Sequence, residues 1–330
     1  MILGASLRNN FPVRVCITRP IPDPGPLILA ERGLEVSVRE TDAPPDEEEL
    51  ARLAVEFPIL VTMLTDPVTE RVLSSGVRMV AQMAVGYDNI DLLAATRHRV
   101  PVTNTPGVLT EATAELTWAL ILATARHIVI ADQYTRQGRF RVWEPNAFLG
   151  TELAGKTLGI LGAGRIGTRV GEIAHAFGMK LIYLDLLPSE RLDSLGGRRA
   201  GLEEVLREAD VLSLHLPLTR ETRGLIGEKE LRLMKPSAIL VNAARGPIVD
   251  EGALVRALKE GWIAGAGLDV YENEPKVHPD LPGLSNVVLL PHIGSATREA
   301  RSAMSKAVAE NVIAFIDGRR PPNILNPEVL

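Results

Sequence analysis

The chain has 330 residues, enough for two hydrophobic cores rather than one. Its 46% hydrophobic and 23% charged residues are ordinary for a globular protein, and a formal net charge of −5 with no long Lys/Arg run argues against nucleic acid or an anionic membrane as partner. Cys16 is the single cysteine, which excludes an intrachain disulfide and a cysteine-based metal cluster and suits a reducing, cytoplasmic setting.

The opening segment MILGASLRNNFPVRV has neither a long apolar stretch nor a small-residue cleavage site, so no signal peptide is expected. No apolar run reaches membrane-span length. VRVCIT at 13–18 reads as a strand, LILAERG as a helix ending at Gly33, and LEVSVRE as a strand alternating at period two. PPDEEELARLA begins with prolines and acids, which suits a helix N-terminus. ILVTML at 59–64, RMVAQM at 78–83 and VPVTNT at 100–105 read as further strands. Strands and helices alternating at this pace imply a parallel, doubly wound α/β sheet.

The pattern changes at Thr105-Pro106-Gly107, read as a hinge. From Thr110 to about Gln137 apolar residues recur at helical spacing with no Pro or Gly inside, which predicts one long connecting helix. From Thr157 the alternation restarts with TLGILGAG, RIGTRVGEIAHAFG and KLIYLD. Strands are expected at VLSLHLP, AILVNAA, GAGLDV and NVVLLPH, with helices at EKELRLM and GALVRALKE. A last amphipathic helix from Thr297 to Phe315 would pack on the first domain. The expected division is residues 1–106 with 296–330 in one domain and 107–295 in the other.

Gly162-Ala163-Gly164-Arg165-Ile166-Gly167 fits G-x-G-x-x-G. The first glycine permits the tight turn, the second lets backbone approach a pyrophosphate, and the third lets helix and strand pack closely. The helix that follows aims its N–H groups and positive dipole end at the phosphates. The hexapeptide alone is weak; an apolar strand before it, an amphipathic helix after it and an acid at the next strand's end strengthen it. That acid is Asp185, eighteen positions after Gly167. A carboxylate there accepts from ribose hydroxyls and repels the extra phosphate of NADP, and Leu186 and Leu187 follow it rather than an arginine, so NADH is expected over NADPH.

Three residues then fall at expected strand ends: Arg245 after AILVNAA, Glu274 in LDVYENEP and His292 after NVVLLP. Ligands of open parallel sheets bind outside the carboxyl ends of the strands, so such residues can meet in one crevice. Taken singly, each has an alternative: a surface capping arginine, an ordinary loop glutamate, a buried histidine bonded to a carbonyl. The other histidines show no metal-ligand spacing, and no metal is expected.

The segments NAARGPIVD, GAGLDVYENEP and LLPHIGSAT resemble the signatures of the D-2-hydroxyacid dehydrogenase family. The likeness extends to AVGYDNID, NTPGVLTEATAEL, LGAGRIG and HLPLTRET, across nearly the whole chain. VTML at 61–64, VGYDNID and RRPPNILNPEVL are most similar to the glyoxylate reductase/hydroxypyruvate reductase branch. The resemblance implies a flavodoxin-like substrate domain and a Rossmann NAD domain with an interdomain cleft. It implies reduction of glyoxylate or hydroxypyruvate to glycolate or D-glycerate.

On the matching positions, Arg245 would pair with the substrate carboxylate and polarise the keto oxygen, for which a planar, permanently charged guanidinium is suited. His292 would give that oxygen a proton in reduction, and Glu274 would hydrogen-bond the imidazole to keep its proton available. Val85 and Gly86 would bind the carboxylate through backbone N–H groups, with Leu64 beside the substrate. Thr110, Leu216, Pro217, Thr222, Ala243, Ala244, Asp269 and Gly294 would join Gly162–Gly167 and Asp185 around the cofactor, as would Arg245 and His292. Trp143 is similar to a tryptophan that reaches the partner subunit's active site, implying a homodimer.

Other members of the family are competing readings. A phosphoglycerate dehydrogenase would often carry an extra regulatory domain, a formate dehydrogenase would have Gln in place of Glu274, and a phosphite dehydrogenase shares all three residues. A non-catalytic, NAD-sensing corepressor is the alternative outside enzymes.

Overall fold

The short apolar runs pair as parallel strands in two separate sheets in the computed structural model, which describes residues 13–330. The opening segment of the signal-peptide expectation thus lies almost wholly outside the described residues. The chain divides into two compact units, one of residues up to Leu109 with Ala296–Leu330, the other Thr110–Ser295. The first division falls three residues beyond the expected one, at the start of a helix rather than at the hinge-like Pro106-Gly107.

In unit 1, β1 (Arg14–Ile17), α1 (Gly25–Glu31), β2 (Glu35–Val38), α2 (Glu47–Glu56), β3 (Ile59–Thr62), α3 (Glu70–Leu73), β4 (Met79–Gln82), α4 (Leu92–Arg97) and β5 (Val102–Thr103) follow one another. The five strands lie in the order β2-β1-β3-β4-β5, all parallel, with Cys16 opposite Leu60 and Leu60 opposite Val80. Pro44 and Pro45 fall just outside α2; the cap is Asp46, whose carboxylate accepts from Glu49 N–H, with three glutamates in the first turn. Leu50, Ala54, Val72 and Ala94 bury one side of the sheet with Cys16, Leu60, Val80 and Val102. The C-terminal helix, Arg298–Ile316, packs on α1 and β4. Ser305 Oγ accepts from Gly25 N–H at 2.9 Å, and a Cβ on Gly25 would lie 2.2 Å from that oxygen, so only glycine allows the approach.

Unit 2 opens with α5 (Thr110–Ala125) and α6 (Ile128–Arg136). The single long helix expected here is two, bent by 66°. The break is at His127, in the left-handed region at φ +54°. No Pro or Gly causes it. The carbonyl of Ala125 accepts instead from Thr151 N–H at 2.8 Å, where the chain crosses back; Gly150 fits because a Cβ there would sit 2.4 Å from that carbonyl. Most of α5 is buried, and no residue of α6 is. No single helix among the described residues is long and apolar enough to cross a membrane.

The sheet of unit 2 contains β6 (Thr157–Leu161), β7 (Lys180–Leu184), β8 (Arg198–Arg199), β9 (Val211–Leu214), β10 (Ile239–Asn242), β11 (Gly265–Leu268) and β12 (Val287–Leu289). Between them run α7 (Arg165–Ala176), α8 (Glu190–Ser194), α9 (Leu202–Glu208), α10 (Glu228–Leu233) and α11 (Glu251–Glu260). The strand order is β12-β11-β10-β9-β6-β7-β8, all parallel. Alternate side chains go to opposite faces. Leu158, Ile160, Val211, Ile239 and Val241 pack with α5 and α7; Leu161, Leu212, Leu214 and Leu240 pack with α9, α10 and α11. Each such side chain contributes roughly 1.5–3 kcal/mol by leaving water, which is why these strands read as unbroken apolar runs. The order reverses between β6 and β9, the switch point where open α/β sheets hold ligands.

Candidate active site

The Gly-rich turn between β6 and α7 has three differently used glycines. Gly162 has φ +98°, and a Cβ would lie 2.7 Å from the carbonyl of His215 at the end of β9. Gly167 would place a Cβ 2.0 Å from the Gly162 carbonyl. A Cβ on Gly164 would meet open space. The outer two are therefore demanded by packing, and the middle one leaves bare backbone facing outward, as a pyrophosphate requires. Gly164 is also the N-cap of α7 and offers no side-chain cap, so the first N–H groups of the helix remain for an anion. Arg165 is exposed beside them, and Ile166 packs against the core. These features fit a dinucleotide.

Asp185 follows β7 directly, and its carboxylate reaches back to Ala163 N–H at 2.7 Å, within the Gly-rich turn. Leu186 and Leu187 follow the acid, and an arginine distant in sequence also reaches this turn. Arg199, on β8, donates from Nε to the Asp185 carbonyl at 3.0 Å and from Nη2 to the Leu186 carbonyl at 2.6 Å. It is fourteen residues away in sequence but on the adjacent strand, where Tyr183 pairs with Arg199.

The Arg, Glu and His residues lie at successive strand ends of this same sheet. After β10, the Asn242 side chain donates to the Arg245 carbonyl at 2.9 Å and accepts from Ala244 N–H at 3.0 Å, fixing the Ala243-Ala244-Arg245 turn. Arg245 Nη1 donates to the Ala244 carbonyl at 2.7 Å. Gly246 presses on the next strand's loop: a Cβ would lie 1.8 Å from the Tyr271 carbonyl. After β11, the buried Asp269 carboxylate accepts from Ile293 N–H at 2.7 Å and Gly294 N–H at 2.8 Å. Its carbonyl accepts from His292 N–H at 2.8 Å. Burial pushes the Asp269 carboxyl up, against those two N–H groups and the His292 charge. Asp269 thus ties the end of β11 to the segment bearing His292.

His292 Nδ1 and Glu274 Oε2 are 2.8 Å apart, and Glu274 Oε1 accepts from Tyr271 N–H at 3.0 Å. With Nδ1 taken, Nε2 is the nitrogen that can exchange a proton with a ligand. Burial alone would push the Glu274 carboxyl up; the His292 hydrogen bond and charge outweigh it, with Arg245 adding to them, and hold it below the usual carboxylate range. His292 has φ +55°, a left-handed conformation that costs a non-glycine residue about 1–3 kcal/mol and that clusters at functional sites.

Other expected residues fall as follows. Leu216 and Pro217 follow β9, with the Leu216 backbone beside Gly162. The Thr222 hydroxyl donates to the Pro217 carbonyl at 2.7 Å, so it closes its own loop. Thr110 begins α5, and Thr113, one turn on, lies against Gly294. In unit 1, Val85 and Gly86 follow β4; Asn104 Nδ2 holds the Val85 carbonyl at 2.8 Å and Gln82 Nε2 the Gly86 carbonyl at 3.3 Å. Both carbonyls are thus anchored by side-chain amides. Leu64 follows β3 and is half-buried. Trp143 is 77% exposed. Asn242, Tyr271 and Arg199 were missed. An Asn ending an apolar run is a turn signal that could have revealed the first; the other two act through contacts no spacing encodes.

The burial of His215, which pushes its imidazole down to about 4, keeps that ring neutral beside the Gly-rich turn, where it hydrogen-bonds Ser213 at 2.8 Å. A sheet end so furnished can hold a dinucleotide and exchange a proton next to it, the layout of a nicotinamide-dependent dehydrogenase. The family model described as D-isomer specific 2-hydroxyacid dehydrogenase, NAD binding domain, matches residues 118–294. A glyoxylate reductase of Aeropyrum pernix is 54% identical over 326 residues, covering 96% of this chain and 97% of that one. A glyoxylate reductase of Thermococcus litoralis is 50% identical over 324 residues, covering 96% and 98%. Among solved structures, the TT0316 protein of Thermus thermophilus matches with a TM-score of 0.89 at 44% identity, covering 95% of this chain and 100% of that one. The chain belongs to the D-2-hydroxyacid dehydrogenase family.

Proposed function

We propose that this enzyme reduces glyoxylate to glycolate with NADH, and hydroxypyruvate to D-glycerate as a second substrate. The carrying observation is the His292–Glu274 pair, 2.8 Å apart, in a chain half identical to glyoxylate reductases. When bound, a nicotinamide dinucleotide supplies hydride exchange with the carbon bearing the substrate oxygen. His292 Nε2 gives that oxygen a proton in reduction and takes it back in oxidation. Glu274 orients the ring through Nδ1 and stabilises the imidazolium. Arg245 pairs with the substrate carboxylate and polarises the keto oxygen. In unit 1, the proposed substrate-binding residues are Leu64, Val85 and Gly86.

Gly162, Gly164, Arg165, Ile166 and Gly167 would hold the pyrophosphate, and Asp185 the adenosine ribose. Asp185 supports NADH over NADPH, since its carboxylate repels a 2′-phosphate. Thr110, Leu216, Pro217, Thr222, Ala243, Ala244, Asp269 and Gly294 complete the proposed cofactor contacts, Thr222 through backbone because its hydroxyl is engaged. The exposed apolar residues around α6, among them Phe140, Val142 and Trp143, support a homodimer with Trp143 reaching the partner subunit. The lone, buried Cys16 suits a cytoplasmic location.

The test is a steady-state panel of glyoxylate, hydroxypyruvate, pyruvate and 3-phosphohydroxypyruvate, each with NADH and NADPH. Greatest kcat/KM with glyoxylate and NADH is expected. Turnover confined to the phosphorylated acid, or none with any 2-keto acid, overturns the reading.

A further inference from the structure

Two arginines stand side by side on β8 and do different work. Arg198 pairs with Glu204 at 2.5 Å and Glu208 at 2.8 Å, an exposed surface network. Arg199, pointing the other way by strand alternation, forks onto two successive carbonyls, those of Asp185 and Leu186. We propose that Arg199 is a positioning residue for the ribose-binding acid and so helps set the choice of NADH. This rests on the reading of Asp185 given above.

The turn after β7 is bounded by Gly162 N–H on the Leu184 carbonyl at 2.9 Å and by Ser189 N–H on the Tyr183 hydroxyl at 2.9 Å, and Arg199 holds the two carbonyls between them. Leu186 and Leu187 are 92% and 74% exposed and bring no packing. The Asp185 carboxylate is fixed on one side by Ala163 N–H, and Leu187 N–H approaches its other oxygen at 3.3 Å. Arg199 fixes the backbone that carries it. The planar fork meets both carbonyls in a fixed geometry, whereas a lysine ammonium is a point charge on a flexible stem. Ala200 N–H also donates to the Tyr183 carbonyl at 2.9 Å, so the arginine itself stands on a register-locked strand. The charge-assisted hydrogen bonds that the carboxylate accepts from ribose hydroxyls depend on this aim. A turn free to swing would lose part of them and would also present the repelling carboxylate less firmly to a 2′-phosphate.

The experiment compares Arg199→Leu, Arg199→Lys and, as control, Arg198→Leu in the full-length enzyme. Arg199→Leu is expected to raise the KM for NADH roughly three- to tenfold, with kcat at saturating NADH and the KM for glyoxylate unchanged. The KM for NADPH should rise less or fall, so that the cofactor preference narrows. Arg199→Lys should recover part of the loss, and Arg198→Leu should resemble wild type. An unchanged KM for NADH in Arg199→Leu overturns the proposal. So does a loss confined to NADPH, which would make Arg199 a phosphate receptor. Should Arg199→Leu fold poorly, Arg199→Lys carries the test alone, read as NADH affinity by fluorescence titration of protein with an unshifted melting temperature; wild-type affinity there overturns the proposal. A wild-type preference for NADPH, measured first, overturns the cofactor reading itself and is distinct from either result.

Discussion

His292 is fixed by its backbone as much as by its ring. Its N–H is held by the Asp269 carbonyl, the two N–H groups after it by the Asp269 carboxylate, and its Nδ1 by Glu274. The left-handed conformation persists because these bonds over-determine it. His292→Ala should lower kcat by about two to four powers of ten while NADH affinity, followed by fluorescence titration, stays near wild type; unchanged turnover removes His292 from the proton transfer. Glu274 gives a pH prediction. Its folded carboxyl is held below the ordinary range, so its contribution to stability is complete above about pH 4.3, the ordinary value, and is lost as pH falls through the lowered folded value. The gap in melting temperature between wild type and Glu274→Gln should therefore close as pH is taken from 5 toward 3. A gap that widens on acidification contradicts the assignment.

Among elements, the strand-end loops behave as one interlocked set. Gly246 lies against the Tyr271 carbonyl, and Tyr271 N–H holds Glu274. The Arg245 turn and the Glu274 loop are therefore packed backbone to backbone. Gly246→Ala has to push one loop off the other, at a cost of about 1–3 kcal/mol or more. Thermal unfolding should register that loss, and kcat/KM for glyoxylate should fall with it because Arg245 and Glu274 move apart. A stable, fully active Gly246→Ala would mean the close approach carries no function. The α5–α6 break makes the same point about apolar patterning. Spacing identifies helical residues, yet the helix ends where Thr151 takes the Ala125 carbonyl.

At the scale of the whole molecule, the residues after α5 look outward. No residue of α6 is buried, and the loop after it is anchored by Phe148 packing edge-on to Tyr134 at 5.2 Å while Trp143 stays exposed. A second copy of this chain is the proposed cover. Sedimentation should give twice the 35.7 kDa chain mass, and Trp143→Asp should shift the population toward monomer, since a buried interface tryptophan is commonly worth about 2 kcal/mol or more. A monomeric wild type at micromolar concentration overturns the dimer.

The two parallel sheets, the Gly-rich turn, its acid, and the order Arg245, Glu274, His292 were all legible in the linear chain. The sheets and the Gly-rich turn rest on local regularities, strand and helix periods and glycines at fixed spacing, whereas Arg245, Glu274 and His292, each open singly to an ordinary reading, stand out through the resemblance of their segments to the family's signatures. The joining of Arg199 to Asp185, the break at His127, the engagement of the Thr222 hydroxyl and the fastening of His292 by Asp269 were not. Those depend on which strands become neighbours and which carbonyls meet which donors, and such pairings exist only once the sheet has assembled.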